Sequence, residues 1–158
     1  WVDIDFLVAV FKEVRRTMPD AVLLIVGSSE RLAHYQRLYN SADIVFTGPV
    51  SPSLIEAYFL VCDVGVLPNK KSLFQDLAFH IKLIEFGAAR KLVLSSDMDE
   101  VKRTGLGHVA VVPLSVADWV KALIKIKAQG WNADWERRLK GFDWKNVADS
   151  FEKIVAPL

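Results

Sequence analysis

The sequence predicts an α/β domain: a Rossmann-like, doubly wound parallel sheet with helices on both faces. Three observations carry that prediction. Short apolar runs without alternation, such as Ala21-Val-Leu-Leu-Ile-Val26, have the pattern of strands covered on both faces. Between these runs lie segments whose apolar residues recur at helical spacing. The two patterns alternate along the chain, which is the rhythm of βαβ units.

The first element is a helix. Phe6, Leu7, Val10, Phe11 and Val14 fall on one face, with Lys12, Glu13, Arg15 and Arg16 between them, and Pro19 disfavours helical geometry in Met18. The strand Ala21 to Val26 follows, and Gly27-Ser-Ser-Glu30 turns the chain into a short helix around Arg31 to Leu38. Gly27 lacks the second and third glycines of a dinucleotide fingerprint and reads as a strand-end turn. Asp43-Ile-Val-Phe-Thr47 is the next strand, closed by Gly48-Pro49. Ser51-Pro52 then supplies an N-cap and a first-turn proline for a helix through Ala57 and Leu60.

The stretch from Cys62 to Ser96 is the centre of the chain. It reads as a strand over Asp63 to Leu67, a polar loop after Pro68, a helix carrying Lys82 and Glu85, and a strand after Gly87-Ala-Ala. In an open parallel sheet ligands sit beyond the carboxyl ends of the strands, so this loop and the following helix start should floor a site. A short polar helix near Asp97 to Arg103, a strand Val109 to Val112 and an amphipathic helix with Trp119, Val120, Leu123 and Ile126 complete five strands. The tail from Trp131 to Leu158 holds Trp131, Trp135 and Trp144 and two helical patterns around a Gly141-Phe-Asp break. It is expected to clasp the outside of the sheet.

In the strand order 3-2-1-4-5-6 the first strand is central. Here Trp1-Val-Asp-Ile-Asp5 leads straight into a helix, so the strand expected between Ala21–Val26 and Asp63–Leu67 should come from residues ahead of Trp1. Residues 1–158 are otherwise expected to form one domain.

Composition limits the functions. With 158 residues, 52% hydrophobic and 25% charged, the chain can bury one core. A net charge of +1 from 20 basic and 19 acidic residues argues against nucleic acid as a partner. The only cysteine, Cys62, lies in an apolar run and reads as a small buried hydrophobe, in keeping with a reducing cytoplasm. No apolar run approaches the length of a membrane span, which leaves peripheral attachment of a full-length protein at the inner membrane face open. No histidines and carboxylates have metal-ligand spacing, Asp97-Met-Asp99-Glu100 reads as a solvated first turn, and no nucleophile-elbow motif is present. No cofactor and no required metal are expected.

The segments LLIVG, DIVFTGPVS, LIEAYFLVCDVGVLP, HIKLIEFGAARKLVLSSD and GHVAVVP, in this order, resemble the C-terminal, nucleotide-sugar-binding domain of retaining GT-B glycosyltransferases of the group 1, glycogen-synthase-like family. The resemblance covers nearly the whole chain. It implies the C-terminal half of a GT-B fold, a hexosyltransferase-like activity, a nucleotide diphosphate sugar as donor, and a preceding acceptor-binding domain that is absent here. It assigns the ribose hydroxyls to Glu85 and the base to the loop Thr47-Gly48-Pro49-Val50-Ser51, with Gly48, Val50 and Ser51 as its contacts. Many members carry two glutamates eight positions apart; the position matching the first is Leu77 here, with Asp76 one residue out of register, and His80 stands where glycine or proline is usual.

Elementary chemistry supports the same residues. A diphosphate needs backbone N–H donors and a favourable dipole, which the helix start at Phe79-His80-Ile81 can offer, with Lys82 one turn in. A carboxylate such as Glu85 accepts two hydrogen bonds from a vicinal diol. Spacing alone reads Lys82 and Glu85 as an i,i+3 pair on a solvated face. Three classes follow: the donor-binding half of a glycosyltransferase, a GT-B relative such as a nucleotide-sugar epimerase, and a non-enzymatic α/β interaction module.

Overall fold

The computed structural model of the chain describes residues 2–155. Helix α1 (Ile4–Thr17) begins where the Asp3 carboxylate accepts a hydrogen bond from the Phe6 amide at 3.1 Å. Strand β1 (Leu23–Val26) follows, then α2 (Leu32–Tyr39) and β2 (Ile44–Gly48). A 3₁₀ turn (Pro52–Leu54) leads into α3 (Ile55–Val61) and β3 (Val64–Leu67). After β3 come α4 (Leu73–Leu77), α5 (Ile81–Ala88), β4 (Leu92–Ser96), α6 (Asp99–Thr104), β5 (Val109–Val112), α7 (Val116–Lys127), α8 (Trp135–Lys140) and α9 (Trp144–Val155). All five expected strands form, within three residues of the expected limits.

Pairing is parallel throughout. β1 pairs with β2, and β3-β4-β5 form a second ladder in that order. Among the described residues no ladder joins β1 to β3, so the five strands make two short sheets rather than one continuous sheet. The chain's first residues close the end of β3: Val2 bridges Asn69 in antiparallel fashion, and the Asp3 amide donates to the Pro68 carbonyl at 2.8 Å.

One helix holds the two sheets together. On α1, Leu7, Val8 and Phe11 pack with Leu23, Ile44 and Phe46 of β1 and β2. Its Val10 and Val14 pack with Leu92 and Leu94 of β4 and with Trp119 and Ile126 of α7. Val66 of β3 touches both groups. Trp119 is completely buried; its ring meets Phe6 edge-on at 5.2 Å and its indole N–H donates to the Val112 carbonyl. A third cluster, Leu67, Leu83, Val93, Met98, Val101 and Leu106, lies under α5 and α6. The helices therefore cover both faces, the doubly wound arrangement that the sequence predicts.

Four local expectations are corrected. The polar loop after Pro68 contains α4, because Ser72-Leu-Phe-Gln75 is a capping-box pattern and the Ser72 hydroxyl accepts from the Gln75 amide. Strand β1 is less covered than its apolar run suggests: Val22 and Val26 are exposed, since β1 has a partner on one side only and Leu60 and Val61 of α3 also face water. Ser51 and Pro52 take the expected N-cap and first-turn places, but in the 3₁₀ turn ahead of α3, and the Ser51 hydroxyl makes no capping bond, pairing with that of Ser53 at 2.9 Å instead. The tail packs only in part: Trp131 and Trp135 join the second cluster and Leu139 and Phe142 the third, whereas α9 turns Trp144, Val147 and Phe151 to solvent. Residues 156–158 of that tail lie outside the described residues.

Candidate functional site

Helix α5 orients the two charged candidates. Leu83 plunges into the third cluster and Gly87 is pressed against the Leu139 and His108 side chains, where an added β-carbon would come within 2.8 Å of them. With Leu83 and Gly87 fixed inward, the i,i+3 residues Lys82 and Glu85 must lie outward. Their ammonium and carboxylate are 2.8 Å apart. The face they share is not simply solvated. Lys82 Nζ lies 5.4 Å over the Phe59 ring of α3, and Phe59 meets Phe86 edge-on at 4.7 Å. The Glu85 side chain is 35% exposed, yet its Oε2 is closed off from water and has no hydrogen-bond partner beyond the ion pair. The pair thus lies where α5 meets Phe59 of α3.

The N-cap of α5 is His80, whose Nε2 stands 3.1 Å from the Gln75 carbonyl. A carbonyl only accepts, so Nε2 is the donor in this hydrogen bond. Gln75 is itself fixed, because its side-chain carbonyl takes a 2.7 Å hydrogen bond from Asn69 while Ser96 Oγ donates to the Asn69 carbonyl. The end of β4, the end of β3, α4 and the start of α5 are thus linked in one hydrogen-bonded chain. Ile81 is half exposed at the same helix start.

The loop after β2 is ordered separately. Gly48 has φ +70, which favours glycine, and its carbonyl accepts from the Gly27 amide and the Thr47 hydroxyl. Val50 is half-buried and Ser51 exposed. Among the described residues no hydrogen bond, ion pair or ring contact joins Gly48, Val50 or Ser51 to His80 or Ile81. Helix α3 starts beyond this loop and brings Phe59 to Lys82. A surface concavity of about 360 Å³ lies elsewhere: Leu73, Phe74, Leu77 and Ala78 line it on α4, beside the start of α5.

Other groups are committed to structure. The Cys62 thiol donates to the Phe59 carbonyl at 3.2 Å and burial pushes its pKa up, so it is no nucleophile. A hydrogen bond from Lys102 holds the Asp97 carboxyl below its ordinary range. Lys71 bridges to Asp99 at 3.2 Å, and the Asp99 amide donates to Asp76 at 3.1 Å, tying α4 to α6. Among the described residues no three His, Cys, Asp or Glu side chains converge to hold a metal ion. Nor is any described helix long and apolar enough to cross a membrane.

Sequence reasoning missed His108. It is 2% exposed behind α5, and its Nε2 stands 2.9 Å from the Leu83 carbonyl. Burial lowers its pKa below the ordinary histidine value. No spacing rule marks it, since its partners lie 25 residues upstream and in the tail.

Comparison with known proteins meets this geometry. A Bacillus subtilis (strain 168) protein named as a teichuronic acid biosynthesis glycosyltransferase, TuaH, is 30% identical over 94 residues, 58% of this chain and 24% of that relative. The chain therefore spans about a quarter of that relative's length. The family model described as "Glycosyl transferases group 1" matches residues 2–129, which takes in every strand and all of α1 to α7. This chain belongs to the group 1 glycosyltransferases.

Proposed function

We propose that this domain binds the nucleotide diphosphate sugar donor of a GT-B glycosyltransferase, as the C-terminal half of that fold. The supporting observation is the Lys82–Glu85 pair, with Lys82 over the Phe59 ring of α3 and a Glu85 carboxylate oxygen shut from water. The ribose diol would donate to the Glu85 carboxylate, and Lys82 would turn from Glu85 to the diphosphate. Opening an ion pair this exposed costs little, about 0–1 kcal/mol. His80 and the free amides at the start of α5 would face the phosphates, and the loop Gly48, Val50 and Ser51 the base.

The complete enzyme would carry an acceptor-binding domain and pass the sugar to a glycan or lipid-linked acceptor at the cytoplasmic membrane face. The relative named for teichuronic acid biosynthesis supports polysaccharide synthesis as the setting. The isolated domain would bind nucleotide weakly and transfer no sugar, because catalysis needs donor and acceptor held together.

A thermal-shift panel of UDP, GDP, ADP and CDP sugars tests this reading. One of them should raise the melting temperature, since a ligand at 100 times its Kd adds about 2.7 kcal/mol. A flat response across the panel would favour an interaction module instead.

A further inference from the structure

His108 touches α5 at two points: its Nε2 hydrogen-bonds the Leu83 carbonyl, and its ring fills the space beside Gly87. The first contact lies between Lys82 and Glu85 in sequence, on the opposite side of the helix from their charged ends. Because the Leu83 carbonyl can only accept, Nε2 holds the proton and Nδ1 is an acceptor. That Nδ1 is shut from water and has no partner. The indole Nε1–H of Trp131 is likewise shut from water without a partner, and the two rings stand 5.7 Å apart at a 42° tilt. One orphan acceptor and one orphan donor, carried by neighbouring rings, are complementary; unmade hydrogen bonds of buried groups are costly.

We propose that His108 is a positioning residue for the nucleotide site, holding α5 from behind in its neutral form while the Trp131 N–H serves its second nitrogen, directly or through one water. The first region of the tail thereby braces the helix that carries Lys82 and Glu85. Protonation would set an N–H against the indole N–H and break the brace. Among the described residues, charged side chains of the surrounding elements are engaged with other partners. On α5, Lys82 and Glu85 pair with each other; beyond its end, Arg90 pairs with Glu136 of α8 at 3.0 Å; Arg138 donates to the Thr104 carbonyl. The nucleotide part of this inference rests on the function proposed above.

The test compares the wild-type chain with His108→Gln, which keeps an N–H within reach of the Leu83 carbonyl, His108→Leu, which does not, and Trp131→Phe, which removes the indole N–H together with part of the ring. Each is titrated with whichever of UDP or GDP the wild type binds, and amide exchange is followed across Leu83 to Gly87. His108→Leu should weaken binding roughly tenfold, the equivalent of one lost hydrogen bond, with His108→Gln restoring most of it. Trp131→Phe should speed exchange in α5. In ¹⁵N spectra His108 should show a protonated Nε2 and a bare Nδ1. A folded His108→Leu variant with wild-type affinity, a glutamine variant no better than leucine, or a protonated Nδ1 with bare Nε2 would each overturn the proposal. If His108→Leu does not fold, unchanged α5 exchange in Trp131→Phe overturns it. If the wild type binds no nucleotide, the proposed function fails, while the exchange and tautomer measurements still decide whether His108 and Trp131 brace α5.

Discussion

The Phe86 ring lies so close over Gly65 that a β-carbon added to the glycine would stand 2.8 Å from three of its ring atoms. Gly65 is in β3 and Phe86 is in α5, so this contact sets how near the site helix sits to the sheet. Phe86 cannot yield freely, because its ring also meets Phe59 edge-on. Gly65→Ala should therefore overpack this seam and cost roughly 1–3 kcal/mol. Urea unfolding would show a lower midpoint with an unchanged slope.

Glu85→Gln keeps the side-chain shape and removes the charge that strengthens hydrogen bonds to a diol. Nucleotide affinity should fall by roughly 1 to 3 kcal/mol, read by calorimetry. Stability should move by less than about 1 kcal/mol, since the ion pair with Lys82 is half exposed. Equal nucleotide affinity in the two proteins would return Lys82 and Glu85 to the role of a structural pair.

The alternation of apolar runs and helical faces made every strand legible, because each βα unit writes its own local pattern. What the sequence did not disclose were relations between distant segments. Both Phe59 and Phe86 read as ordinary apolar helix residues, yet they meet edge-on and Phe59 also lies under Lys82. His108 gains its meaning only from the Leu83 carbonyl and Trp131, which no spacing brings together. By contrast α4 was available in principle, since Ser72 and Gln75 stand at capping-box spacing. Glu85 was singled out through family resemblance, because an i,i+3 charge pair alone says nothing of the aromatic ring beside it.

Leu77, at the position of the family's first glutamate, is 65% exposed at the end of α4 and lines the apolar concavity there. Leu77→Glu should leave the fold intact, with a cost of a few tenths of a kcal/mol from a carboxylate at a helix C-terminus. If the restored carboxylate reaches the sugar, affinity for a nucleotide sugar should rise relative to the bare nucleoside diphosphate. Parallel titrations of sugar nucleotide and diphosphate with both proteins give the ratio; an unchanged ratio would mean that α4 stands away from the donor sugar.

The buried His108 also sets a pH dependence of stability. In the unfolded chain it titrates near its ordinary value of 6.5, whereas burial lowers that value in the folded chain, so below pH 6.5 the unfolded state takes up a proton that the folded state refuses. Stability should therefore be full above pH 6.5 and fall as pH drops through that value, by up to about 1.4 kcal/mol per pH unit for one proton, levelling once pH passes the lowered folded value. Carboxylates such as Asp43 and Asp97, which are lowered by hydrogen bonds from Ser41 and Lys102, act on the same side but in the carboxylate range, well below the histidine step. His108→Gln separates the two, because glutamine can keep a donor to the Leu83 carbonyl without taking a proton. Urea unfolding between pH 5 and 8 should show the step near 6.5 in wild type and its loss in His108→Gln, with the acid-range decline common to both. A step of the same size in both proteins would remove His108 from the account.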